Sequence, residues 1–255
     1  LPAKRTIDTR ATYSQFLRYR PAYLFSDSQS NPNPWQCFPA KRLTDEYLNT
    51  EGNNKMSSIA CSCGQCRLTL TDNHPIMSLY CECKDCRQAI KWGELRGGKA
   101  PQKLTQAVYV RSDIISVDGE NHMKPFQLRN PAKSTRVYCK SCYSILGINH
   151  PAYSNNVFMF FPHHCEADLD LSIKPCAAIH MSSHPHDEKA DIPYEIPVFH
   201  NWDYSQERDR FLSIADVNKA FRKPLKSPVG KTFKELIKSL ADIEVLNLEI
   251  GADPS

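Results

Sequence analysis

Eight of the eleven cysteines lie in three short clusters, and their spacing is typical of metal-binding thiolates. The thiols are spaced C-x-C and C-x2-C, which turns several sulfurs toward one point. Zinc, a borderline-soft cation, suits this arrangement, with Zn–S bonds of about 2.3 Å. The sequence therefore predicts a zinc protein whose ligands come from Cys61-Ser-Cys63-Gly-Gln-Cys66, Cys81-Glu-Cys83-Lys-Asp-Cys86 and Cys139-Lys-Ser-Cys142.

The distribution of the cysteines favours two sites of different kinds. Structural zinc has four protein ligands, whereas catalytic zinc has three and keeps one position for water or substrate. The first C-x-C and the distant C-x2-C together supply four sulfurs that can form a closed site. What remains is a compact set of three sulfurs, Cys81, Cys83 and Cys86, which is one ligand short of closure.

The sequence leaves the fourth ligand of the second site open. Cys66 leaves the first cluster on a predicted strand, and it either points into the core or closes the second site, which would make both sites structural. His163, His164 and His180 are further candidates, although each is more often an ordinary surface or packed histidine. We favour the open site.

Composition limits the class of protein. The 255 residues are 41% hydrophobic and 24% charged, as in a globular chain, and a net charge of +4 is too small by itself to indicate a nucleic-acid partner. No apolar run approaches the roughly 18 residues of a membrane span. Clustered cysteines in odd number favour metal thiolates over disulfides, and hence a reducing intracellular compartment.

The basic residues within 1–20 resemble the flank of an organellar transit segment. A truncated cytosolic chain explains the same composition equally well. The candidate locations are therefore the mitochondrial matrix, another organelle or the cytoplasm.

The elements that must position the cysteines fall into three predicted regions. Residues 1–54, rich in Pro, Ser, Asn and aromatic residues, predict an extended arm that lies on the main domain or on a partner, and Cys37 within it is not expected to be a ligand. Residues 55–203 contain many short strand patterns between turn signals, such as the alternating residues 66–71. They predict a mainly β domain with a small core, to which the metal sites contribute folding energy.

Residues 204–255 predict a short α-helical C-terminal extension. Helical spacing occurs at 214–221 and again at 232–247, where Thr232 and Glu235 can form a capping box. The second segment carries one apolar stripe, formed by Phe233, Leu236, Ile237, Leu240 and Ile243. This stripe either packs back on the domain or docks the chain to another protein.

These motifs resemble those of the glutathione-dependent formaldehyde-activating enzyme family, which also contains the centromere protein V domain. The resemblance covers roughly residues 57–203, and the segments 179–180 and 193–199 resemble the closing part of the family domain. It is carried by Cys61-x-Cys-Gly-x-Cys-Arg, Cys81-x-Cys-x2-Cys-Arg-Gln-Ala and Arg136-Val-Tyr-Cys-x2-Cys. The resemblance implies a mainly β, Mss4-like zinc-binding fold, to which the arm and the helical extension are added.

The resemblance also implies a function and a division of roles among the cysteines. The family is classed with carbon–sulfur lyases; its structural zinc would be bound here by Cys61, Cys63, Cys139 and Cys142, and its labile catalytic zinc by Cys81, Cys83 and Cys86. A small thiol such as glutathione is then expected to enter the open position as thiolate and to add reversibly to an aldehyde. One departure is Tyr143, because the family usually has glycine after the last cysteine.

Arg87 directly follows the second cluster and has two interpretations. It offsets the negative charge of the thiolates or holds a substrate carboxylate, or else it forms an ordinary surface ion pair.

At the level of the whole chain, the alternative to an enzyme is a non-catalytic, zinc-stabilised accessory subunit, docked in a larger assembly through residues 1–54 and 232–247. A nucleic-acid-binding zinc ribbon is a third and weaker hypothesis.

Overall fold

The computed structural model describes residues 56–185, 190–201, 205–222, 227–240 and 242–250. The predicted arm, residues 1–54, and Cys37 within it lie outside the described residues. No helix in the described part of the chain is long and apolar enough to cross a membrane.

The described residues form a mainly β structure, as predicted, with strands arranged in two sheets. In chain order the strands are β1 (Ser57–Cys61), β2 (Arg67–Leu70), β3 (Met77–Cys81), β4 (Gln106–Arg111), β5 (Ile114–Asp118), β6 (Met123–Gln127), β7 (Thr135–Cys139), β8 (Ile145–Asn149), β9 (Val157–Phe160), β10 (Cys165–Ala167), β11 (Ala178–Ile179) and β12 (Glu244–Val245). The smaller sheet has the order β10-β1-β2-β5 and the larger one β11-β3-β4-β9-β8-β7-β6-β12. Neighbouring strands are antiparallel except at the two edges of the larger sheet, where β11 and β12 run parallel to β3 and β6.

Four α-helices accompany the sheets within the described residues. They are α1 (Lys84–Glu94), α2 (Ser205–Ser213), α3 (Ala215–Arg222) and α4 (Phe233–Ser239). The sequence predicted α3 and the start of α4, including the capping box between Thr232 and Glu235. It missed α1, which begins inside the second cysteine cluster.

Alternating side chains of the larger sheet face two separate cores. In β4, Ala107 and Tyr109 belong to one core, and Val108 and Val110 to the other. Successive side chains of a strand point to opposite faces, so the cores lie on opposite sides of this sheet. The first core, called the helical core below, is covered by α1, α2 and α3. The second, the intersheet core, is closed by the smaller sheet and α4.

Residues 66–71 alternate as predicted. Leu68 and Leu70 are buried in the intersheet core, whereas Arg67 is exposed. The same core holds Phe158 and Phe160 of the aromatic strand β9. Burial of one face in each strand explains why period-two patterning located these strands.

The predicted helix over 232–247 is wrong in its second half. Helix α4 ends at Ser239, and the chain then forms β12. Directly after this strand, Leu246 N–H donates to Gln127 O at 3.0 Å and Leu248 N–H to Leu128 O at 2.8 Å. Pairing with the sheet edge satisfies backbone groups that a longer helix would have satisfied internally. Three residues of the apolar stripe, Phe233, Leu236 and Ile237, are buried in the intersheet core, whereas Ile243 after the helix is 42% exposed. The domain itself therefore covers most of the face that suggested a docking helix.

Candidate metal centres

The four-cysteine group consists of Cys61, Cys63, Cys139 and Cys142. Strand β1 ends at Cys61 and strand β7 at Cys139, and the other two cysteines lie in the turns that follow. All four sulfurs lie within 4.8 Å of one another, with 3.4 Å between Cys61 and Cys63 and 3.7 Å between Cys63 and Cys139. Tetrahedral zinc with Zn–S bonds of about 2.3 Å requires sulfur separations of about 3.8 Å. The group therefore has the geometry of a closed zinc site.

Two similar turns bring these sulfurs together. In the first, Gly64 N–H donates to Cys61 O, and Cys61 N–H donates to the carbonyl of Cys66, both at 2.9 Å. In the second, Tyr143 N–H donates to Cys139 O at 2.9 Å, and Cys139 N–H donates to Ser144 O at 3.0 Å. Each turn therefore returns the chain toward the end of the strand that it follows.

Serine hydroxyls surround the sulfur of Cys142. Ser144 Oγ lies 3.2 Å from Cys142 Sγ and 2.9 Å from Ser62 Oγ. Burial raises the pKa of Cys142, but hydrogen bonds from Ser144, Ser62 and the backbone outweigh it and lower the pKa to about 6. The turn thus favours the thiolate form that a metal requires.

Cys66 lies beside the four-cysteine group and does not close the second site. Its N–H donates to Cys61 Sγ at 3.2 Å, and its own thiol points toward Gly119 O at 3.8 Å. The residue is fully buried in the intersheet core, and burial raises its pKa. Of the two alternatives left open by the sequence, the core position is therefore the one adopted.

The three-cysteine group consists of Cys81, Cys83 and Cys86. The sulfur of Cys81, at the end of β3, lies 3.5 Å from that of Cys83 and 3.7 Å from that of Cys86. Cys83 is the N-cap of α1, and its sulfur accepts the Cys86 N–H at 3.3 Å. The described residues bring three ligand atoms to this group, which can bind zinc with one position left over.

Hydrogen bonds within the group shift the pKa values of its thiols in different directions. Bonds from Cys81 and Cys86 hold the pKa of Cys83 well below its usual range, and the nearby charge of His180 acts in the same direction. Bonds to Cys83 and Cys86, together with burial, raise the pKa of Cys81 well above its usual range. Cys83, the partly exposed member, therefore carries the thiolate most readily.

The geometry of the cysteines agrees with a comparison against known families. Residues 56–183 match the sequence profile of the glutathione-dependent formaldehyde-activating enzyme. The chain belongs to this family. No curated protein aligns with the chain at a significant level.

Tyr143, which follows the last cysteine of the four-cysteine group, has a backbone conformation that glycine adopts more readily than other residues. Its φ is 53°, in the left-handed region where a side chain is strained. The ring stacks on Tyr138 at a centroid distance of 5.7 Å and meets Trp92 of α1 edge-on at 5.7 Å. These aromatic contacts offset the backbone strain, so the turn beside the four-cysteine group is retained.

Glu82 forms a buried polar cluster between two cysteines of the three-cysteine group. Its carboxylate accepts hydrogen bonds from Thr105 N–H at 2.7 Å and from Arg87 Nη1 at 2.6 Å, and it lies 2.8 Å from His184 Nδ1. The Glu82 side chain is 0% exposed. Arg87, singled out by the sequence, is thus joined to a carboxylate that sequence analysis overlooked.

The candidate histidines lie in different environments. His180, at a φ of 59° before a short 3-10 helix, is the one whose charge acts on Cys83. His163 is exposed. His164 is buried, and neither ring nitrogen has a hydrogen-bond partner among the described residues.

Arg136 is the second residue that sequence reasoning missed, although it stands within a family motif. It is only 2% exposed, and its Nη2 donates to the carbonyl of Asp85 at 3.3 Å, in the first turn of α1. A buried arginine next to a cysteine cluster gives no periodic signal, because its position depends on which helix covers its strand.

Proposed function

We propose that the chain is a zinc-dependent carbon–sulfur lyase-type enzyme acting on the adduct of a small thiol with an aldehyde, such as S-hydroxymethylglutathione. The observation that carries this proposal is the three-cysteine group, which offers three sulfurs at zinc-ligand separations in a chain of the formaldehyde-activating family. The four-cysteine group would hold a second, structural zinc ion. This assignment separates the two groups by the number of their ligands.

The residues proposed to hold the catalytic metal are Cys81, Cys83 and Cys86. Zinc bound there would supply a coordination position for an incoming thiol and a Lewis acid for the aldehyde carbonyl. In the forward direction the thiolate sulfur bonds to the carbonyl carbon, and the carbonyl oxygen takes up a proton. The reverse reaction breaks the same carbon–sulfur bond and releases thiol and aldehyde.

The protein contributes position and partial exclusion of water. Cys81 and Cys86 are buried, whereas Cys83 is partly exposed, so the group is reached from the side of Cys83. We assign Arg87 a supporting role at the three-cysteine group. Its guanidinium forms a short ion pair with Glu82, the residue between Cys81 and Cys83. Arg87 thereby fixes the segment between Cys81 and Cys83, and substrate contact is not required for its role.

The experiment that tests the function is exchange of ¹³C-formaldehyde with glutathione, followed by NMR in the presence of the purified full chain. The zinc-loaded protein is expected to accelerate exchange between free aldehyde and thiol adduct above the spontaneous rate. Cys83→Ser should remove the acceleration. Cys176→Ser, a half-buried cysteine outside both groups, is the matched control and should keep it. Exchange at the spontaneous rate with fully zinc-loaded protein would reject the proposal.

The alternative function is a non-catalytic accessory subunit. Burial of the α4 stripe leaves residues 1–54 as the proposed docking segment, and these lie outside the described residues. Size-exclusion chromatography of native extract separates the two proposals. A free enzyme elutes as a monomer or small oligomer, whereas an accessory subunit elutes with its assembly.

A further inference from the structure

Arg136 is a buried cation on the sheet face that α1 covers. Its neighbour Val137 belongs to the intersheet core, whereas Tyr138, two residues along β7, faces the helical core. Alternation places Arg136 on the same face as Tyr138. The guanidinium reaches the Asp85 carbonyl, which lies between Cys83 and Cys86 in sequence.

No carboxylate among the described residues lies within ion-pair distance of Arg136. The Asp85 carboxylate is 2.7 Å from Arg129 Nη1, and Glu82 is occupied by Arg87 and His184. Arg136 Nε has no hydrogen-bond partner in the described part of the chain. A buried charge is costly unless something compensates it, so the negative charge must come from another kind of group.

The three-cysteine group is the source of negative charge that the structure offers. Three thiolates with one Zn²⁺ carry a net charge of −1, and a fourth thiolate from a substrate would make it −2. We propose that Arg136 is the counter-cation of this centre, a positioning residue that sets the affinity of Cys81, Cys83 and Cys86 for zinc and for an incoming thiolate. The inference rests on the zinc site of the proposed function and not on the lyase reaction.

The proposal changes the role expected of the two arginines. Arg87 follows Cys86 in sequence, but its charge is neutralised by Glu82 at 2.6 Å. Arg136 is distant in sequence from the three-cysteine group, and no carboxylate among the described residues neutralises its charge, so the charge can stabilise the thiolates. Groups beyond the direct ligands typically change metal affinity by about 10- to 100-fold when removed.

The test is the zinc affinity of the second site, measured on the full chain by chelator competition. Arg136→Met is expected to weaken this site by about 10- to 100-fold while the first zinc stays bound. Arg136→Lys, which keeps the charge, should recover most of the loss. Arg111→Met is the matched control, because Arg111 is a half-exposed arginine of the same sheet that pairs with Asp72.

Cobalt substitution gives a second readout. The thiolate-to-Co²⁺ charge-transfer bands report ligand number, and addition of glutathione should increase them in the parent and in Arg136→Lys but much less in Arg136→Met. A wild-type second-site affinity in Arg136→Met would overturn the inference. An Arg136→Lys protein whose second-site affinity for zinc is about 10- to 100-fold below that of the parent would overturn it as well. This comparison with the parent also decides the case if Arg136→Met does not fold. If the zinc affinity depends on Arg136 but the protein does not accelerate formaldehyde exchange, the proposed lyase function is rejected and the proposed role of Arg136 as counter-cation stands.

Discussion

Cys83 Sγ accepts the backbone N–H of Cys86 at 3.3 Å, so one sulfur both caps α1 and belongs to the three-cysteine group. A helix N-cap needs an acceptor side chain, whereas zinc needs a thiolate. These two requirements can be separated by substitution.

Cys83→Ser is expected to keep the fold and lose the second zinc. Serine is a good N-cap, so the free energy of unfolding of the zinc-free protein should change by no more than about 1 kcal/mol. Zinc per chain should fall from two to one, measured by atomic absorption. Cys139→Ser is the comparison: it removes a fully buried sulfur from the four-cysteine group, and loss of structural zinc should abolish cooperative thermal unfolding. Equal loss of stability in both variants would contradict the division of roles.

Glu82→Gln is expected to destabilise the protein by about 3 kcal/mol, because it removes the charge that pairs with Arg87 in a buried cluster. Urea unfolding measures the change. Glu166→Gln, in an exposed pair with Lys99 at 3.4 Å, is the control and should cost less than about 0.5 kcal/mol. If the two substitutions cost the same, Glu82 does not organise the cysteine segment.

Tyr143→Gly is expected to destabilise the protein even though glycine suits a φ of 53°. Relief of backbone strain returns about 1 kcal/mol, but the variant loses two aromatic pairs and the burial of a large ring, for a net loss of about 1–3 kcal/mol. Ser154→Gly, at a φ of 52° on the surface, removes the same strain without such contacts. It should leave stability unchanged or raise it by about 0.5 kcal/mol in thermal unfolding. A more stable Tyr143→Gly would show that the ring contacts do not offset the strain.

Burial of His164 predicts that the protein loses stability as the pH falls. Burial, with smaller contributions from the charges of His163 and Lys99, lowers its pKa from 6.5 to about 4. The unfolded chain therefore binds this proton more readily, and the stability from neutral His164 is complete above pH 6.5 and is lost as the pH falls toward 4. The loss is about 3 kcal/mol.

His164→Phe should remove this part of the pH dependence. Urea unfolding at about pH 4.5 and pH 7 measures it, with the difference between variant and parent taken at each pH so that metal release affects both alike. The variant should gain stability relative to the parent at the lower pH, because phenylalanine has no proton to bind. Exposed His74 is the control, and His74→Gln should follow the parent. If the free energy of unfolding changes equally with pH in His164→Phe and in the parent, His164 is not the source of this pH dependence.

Much of the cysteine arrangement followed from the sequence, because C-x-C and C-x2-C spacings fix local geometry. The seven sulfurs lie in one group of four and one group of three, and residues 66–71 alternate as expected. Whether each group binds the predicted kind of zinc stays a prediction. Local patterns sufficed here because each turn is closed by its own backbone hydrogen bonds.

Features that depend on tertiary contacts did not follow from the sequence. Helix α1 buries Gln88 and Gly93 beside its apolar residues, which weakens the periodic signal. The apolar residues after Ser239 continue a helical spacing, yet the chain there forms β12, and Leu246 and Leu248 after this strand pack against the helical core. Arg136 was missed because an isolated charge in a strand pattern suggests a surface position, and Glu82, directly after β3, because a charged residue in a loop suggests the same.

Trp92 of α1 contacts Tyr143, the residue that follows Cys142, while the same helix begins at Cys83. The two cysteine groups belong to opposite faces of the larger sheet, but α1 contacts the turns of both. Ordering either turn restricts the helix and so reduces the conformational entropy that remains to be lost at the other. Zinc binding at the two groups is therefore expected to be positively cooperative, and by reciprocity each ion raises the affinity of the other group for zinc by the same factor.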